Sequence, residues 1–105
     1  MEEVLLIYDK TLRQMRKAAR AGRVGFTFHA TDELSKDQLL PEDAVNCILT
    51  GEIIEDQYDE FYGETKYVIY GDTLVGDEMA VVARFDEPQD VVVITVFRLR
   101  ITDYD

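Results

Sequence analysis

A chain of 105 residues with 47% apolar and 10% aromatic side chains can build one core, which excludes a disordered segment and predicts a single domain over residues 1–105. Its formal charge of −11 repels phosphate backbones at long range, so the bulk electrostatics count against nucleic acid as a partner. The charge is uneven: residues 1–23 carry six basic and three acidic groups, and residues 24–105 carry five and nineteen.

Residues 3–21 read as an amphipathic helix, with Val4, Leu5, Tyr8, Leu12, Met15 and Ala19 at three- and four-residue spacings. Glu2 and Glu3 at its start and Arg16, Lys17 and Arg20 at its end complement the helix dipole, and Gly22 is a natural stop. Residues 25–29 read as a short strand or extended entry, and residues 30–37 as a short helix. Leu40-Pro41-Glu42-Asp43 opens a third helix, because proline fits the first helical position and acids favour the positive end. Ala44, Val45, Ile48 and Leu49 form its apolar side, and Gly51 ends it. The lone Cys47 lies on that side, which predicts a buried, reduced thiol and excludes an internal disulfide.

The remainder is β. Residues 52–56 form a short strand, 66–70 alternate, and 79–85 and 91–100 are the strongest strands, rich in β-branched residues. Val91 to Ile94 are apolar at every position, which predicts a central strand. Residues 86–90, with Pro88, connect the last two strands. The acidic stretch 56–64, with Tyr58, Phe61 and Tyr62, reads as a loop. The expected fold is α+β, with N-terminal helices packed on one face of a mainly antiparallel four-stranded sheet. No run has the length of a membrane span, and the Met-Glu-Glu start lacks the basic region of a signal peptide. The expected location is the cytoplasm, with no membrane contact.

The order of short motifs resembles a small bacterial family, domain of unknown function 4258. His29-Ala30, Leu39, Glu42-Asp43, Gly51-Glu52-Ile53-Ile54-Glu55-Asp56, Tyr67 to Gly71 and Ile94-Thr95-Val96-Phe97 carry the likeness, which spans roughly residues 5–97. The resemblance implies a fold similar to RelE-type toxins, some of which cleave messenger RNA on ribosomes. Three positions depart from the pattern, two of them in charge. Glu33 and Asp37 stand where the family has arginines, and Leu34 replaces a methionine. Two anions in place of two cations do not make a phosphate site.

Three groups of residues carry possible chemistry. His29, the only histidine, has the proton affinity for general acid–base work in RNA cleavage, or it is a hydrogen-bonded structural histidine at a strand-to-helix junction. Arg84 and Arg98 on predicted strands would hold phosphate in a RelE-like nuclease, or pair with the many acids around them. Arg98 and Arg100 share strand parity. Arg13, Arg16, Lys17 and Arg20 fall on one side of the first helix, with Lys10 and Arg23 nearby, and form the candidate nucleic-acid surface. The His29–Glu33 spacing suits two metal ligands, but no third follows, so no metal or cofactor is expected. The leading expectation is a non-catalytic protein-interaction module on a toxin-like scaffold, binding another protein or a second copy. The alternative is a RelE-like ribonuclease toxin of a toxin–antitoxin pair, using His29, Arg84 and Arg98.

Overall fold

A computed structural model describes residues 7–87 and 89–99. The helix start expected at residues 3–6, with Val4 and Leu5, lies outside the described residues, as do Glu2, Glu3, Pro88 and Arg100.

The first described helix, α1, spans Asp9–Arg20. Met15, Ala18 and Ala19 are its buried residues, with Asp9 in the first turn and Lys17 and Arg20 in the last. Gly22 adopts a left-handed φ of 76° that lets the chain reverse, and Arg23 N–H then returns to the Ala18 carbonyl at 2.9 Å. Strand β1 is three residues, Val24–Phe26. Helix α2, Phe28–Lys36, starts two residues earlier than the sequence suggests. Thr27 is the reason: its Oγ1 accepts from Ala30 N–H at 3.1 Å, which caps the helix directly after β1.

Helix α3, Pro41–Thr50, opens as expected with proline in its first turn. The buried Asp43 carboxylate accepts from Leu40 N–H and from Leu74 N–H, both at 2.8 Å. It therefore caps α3 and fastens it to the loop between two strands.

Strands β2 (Glu52–Asp59), β3 (Glu64–Asp72), β4 (Glu78–Asp86) and β5 (Asp90–Arg98) form an antiparallel meander. The sheet order is β1-β5-β4-β3-β2, and β1 runs parallel to β5. The sheet is thus five-stranded and mixed, not four-stranded. A three-residue strand with a central glycine shows no alternation in sequence, and its partner lies more than sixty residues away. The acidic stretch 56–64 is a second correction: β2 continues to Asp59 and a tight turn leads into β3. As an edge strand, β2 is mostly exposed, so its residues carry no apolar alternation to betray it.

The helices bury one face of the sheet. Ile69, Met79, Val81, Val91, Val93 and Val96 are fully buried there against Met15, Leu34 and Ile48. Leu12 and Val45 pack against the same cluster while partly exposed. Ile94 is only half-buried, because the pairing passes from Val82↔Thr95 to Ala83↔Val93 and leaves it as a bulge. Contact between α3 and β3 is close: a methyl group on Gly71 would overlap the Cys47 carbonyl and press within 3.0 Å of Cys47 Cα and Sγ. Cys47 is fully buried in that seam, and burial, followed by the Asp72 charge, pushes its thiol up to about 12.

Candidate functional site

The junction between β1 and α2 positions His29. Thr27 N–H donates to the Val93 carbonyl at 3.1 Å, and Thr27 Oγ1 reaches the carbonyl of the bulged Ile94 at 3.2 Å. The chain then turns up into α2 with Phe28 almost wholly exposed and His29 one residue later. The His29 side chain is 65% exposed, and its Nε2 lies 3.2 Å from Glu33 Oε2. It is therefore partnered, as a structural histidine would be, yet open to solvent.

Glu33 also faces the sheet. Its second oxygen, Oε1, accepts from Val96 N–H at 2.9 Å. One turn further on, Asp37 Oδ2 lies 3.4 Å from Arg98 N–H, a long contact of the same kind. β1 has ended by this point, so among the described residues the outer edge of β5 offers its N–H groups to α2 alone. The bulge at Ile94 shifts the parity so that residues 96 and 98 turn toward that edge. Two carboxylates one helical turn apart then substitute for the missing strand. The anions at 33 and 37 have a positive role that sequence reasoning missed. Their four-residue spacing was the available signal, but the edge they cap is visible only once β1 is known to stop short.

The strand arginines are held apart. Arg98 donates from Nη2 to the Asp37 carbonyl at 3.0 Å and from Nη1 to Asp77 Oδ2 at 2.9 Å, on the helix side of the sheet. Arg84 lies on the opposite face and at the other end of β4, 3.5 Å from Glu64 and 3.7 Å from Asp86. His29, Arg84 and Arg98 therefore do not converge on one reacting atom.

The basic side of α1 is divided as well. Arg13 pairs with Asp9. Arg16 is partly buried and donates to the Ile48 carbonyl at 3.1 Å and to the Gly51 carbonyl, closing the end of α3. Lys17 and Arg20 remain exposed. Lys17 lines a hollow of about 270 Å³ with Arg23, whose guanidinium donates to Gln89, and with Phe85.

The family model described as "Domain of unknown function (DUF4258)" matches residues 26–98, from the end of β1 to the end of β5. The chain belongs to this family. The match covers β5 with its bulge, α2 with Glu33 and Asp37, and the whole meander, so the site described above lies inside the family domain. Comparison with curated proteins gives no match, and comparison with solved structures gives none. No helix among the described residues is long and apolar enough to cross a membrane.

Proposed function

We propose that this DUF4258 domain acts in the cytoplasm by binding another protein, as a non-catalytic module on a RelE-toxin-like scaffold. The observation that carries this reading is the employment of the candidate catalytic and phosphate-binding groups. Arg98 ties β5 to α2, Arg84 neutralises Glu64 and Asp86, and Arg16 closes α3. Glu33 and Asp37 occupy the sheet edge with negative charge, which opposes an approaching phosphate. A net charge of −11 adds to that opposition.

One observation favours the ribonuclease reading. The His29 imidazole is exposed beside a carboxylate, an arrangement able to move a proton. Over-expression in bacteria separates the two. On the interaction reading, growth continues and the purified protein leaves ribosome-bound message intact. Growth arrest with cleavage, both abolished by His29→Ala in a protein that still folds, would establish the nuclease instead.

A further inference from the structure

The register that buries one face of the sheet leaves the alternate residues on the other, where no helix among the described residues packs. Two rows cross the strands there: Val68–Val82–Thr95 and Tyr70–Ala80–Phe97. Val68 and Ala80 are buried yet stand outside the helix-side core, while Tyr70 and Phe97 are 43% and 38% exposed. On the next row of the same face Val92 pairs with Arg84 and with Gly25 of β1, and a Cβ on Gly25 would meet nothing within 4 Å.

Carboxylates flank this band at both strand ends. Each of the three hairpins closes on a directly opposed acidic pair, Asp59↔Glu64, Asp72↔Glu78 and Asp86↔Asp90. Like charges in register repel. Lys66 and Arg84 offset the pairs at one end, lying near Asp59, Glu64 and Asp86. At the other end, Glu52, Asp72 and Glu78 make no ion pair among the described residues.

We infer that the uncovered face of the sheet docks a basic amphipathic helix of another protein, lying across the strands. This rests on the protein-binding reading and supplies its partner class. The two rows cross β3, β4 and β5, so two inter-strand gaps of about 4.8 Å give an apolar band about 10 Å long, which about 7 helical residues span. An apolar stripe on such a helix meets the two apolar rows, and Lys or Arg on one flank meets Glu52, Asp72 and Glu78 at the strand end where no cation pairs with them among the described residues. The charge selects this occupant over others. A second copy would bring acidic ends against acidic ends at −11 each. Residues 100–105 carry one arginine against two aspartates, so the chain's own C-terminal segment is not cationic either.

The probe is a synthetic helical peptide of about 14 residues, leucine on one side and lysine on the other, titrated into the ¹⁵N-labelled full chain. A second peptide with glutamate for lysine is the control. The lysine peptide is expected to bind one to one, to shift amides of β3, β4 and β5, and to weaken with salt. The glutamate peptide is expected not to bind. Phe97→Asp should weaken binding about tenfold or more, and Thr95→Lys should do likewise if Phe97→Asp lowers the melting temperature. Glu52→Lys with Glu78→Lys should weaken binding about tenfold, and Glu42→Lys with Asp32→Lys, equal in net charge but on the helices, by less than about threefold. Equal loss from both double variants, or shifts confined to the helices, would overturn the inference. So would sedimentation as a dimer that Phe97→Asp splits, because a second copy then covers the face. Any of these three failures leaves the protein-binding reading standing, whereas growth arrest with cleavage removes that reading itself.

Discussion

On the helix-covered face of the sheet Ile69, Val81, Val93 and Val96 lose nearly all contact with solvent, whereas Tyr70, Val82, Val92 and Phe97, neighbours along the same strands, keep some of theirs. Both sets are apolar, so hydrophobicity alone does not distinguish them. What differs is what surrounds each. The covered face is met by Met15, Leu34 and Ile48 from three helices, and the open face ends in carboxylates. The first arrangement converts apolar area into folding stability. The second keeps apolar area accessible inside a negative frame, and such a surface is suited to recognition. A tightly packed point of the covered face and a loosely held point of the open face mark the ends of a scale on which substitutions can be placed.

The largest effect is expected at the seam between α3 and β3. Gly71→Ala places a methyl group against the Cys47 backbone, which belongs to a helix and cannot rotate away. Overpacking of this kind costs ~3 kcal/mol, read as a fall in the urea midpoint. The same seam governs Cys47. Its thiol is pushed up to about 12, first by burial and then by Asp72, from an ordinary value near 9. The folded state favours the neutral thiol, so this contribution to stability is whole below about pH 9 and is lost as pH climbs toward 12. In the native protein the thiol should resist alkylation at pH 8, and Gly71→Ala should expose it. A Gly71→Ala protein that melts like the wild type with an unreactive thiol would show that α3 does not sit so close.

The edge of β5 comes next. Glu33→Ala leaves the Val96 N–H without its acceptor, a loss of ~1–3 kcal/mol, while Glu33→Gln keeps an oxygen in place and should recover most of it. Amide exchange at Val96 should accelerate in Glu33→Ala and stay slow in Glu33→Gln. If exchange at Val96 is indifferent to both, the helix does not stand in for a strand.

These two sites differ in how far the sequence disclosed them. Pro41, Gly22 and the β-branched runs announce α3, the end of α1 and strands β4 and β5 through local chemistry, and the structure has them there. The family likeness was legible too, because the order and spacing of short motifs survive without any knowledge of contacts, and the family match over residues 26–98 bears it out. The parallel pairing of β1 with β5 was not legible, since three residues cannot display a period. Nor was the length of β2, whose polar residues suit an exposed edge and a loop equally well. The role of Glu33 and Asp37 depended on both the short β1 and the bulge at Ile94, so charge reversal at those positions spoke only of what they do not bind.

The smallest effect tests the comparison most directly. Val92 and Val93 are adjacent on β5, flanked by the same strands, and point to opposite faces. Val→Thr preserves shape and adds one hydroxyl. At Val93, fully buried under the helices, that hydroxyl loses its water and should cost ~1–3 kcal/mol. At Val92 it remains near solvent beside Gly25, and the change should stay within ~0.5 kcal/mol. Because backbone propensity, strand position and side-chain volume are matched, the difference between the two variants isolates burial. Equal destabilisation would mean that the open face is covered in the isolated protein, and a dependence of the Val92→Thr effect on protein concentration would identify a second copy as the cover.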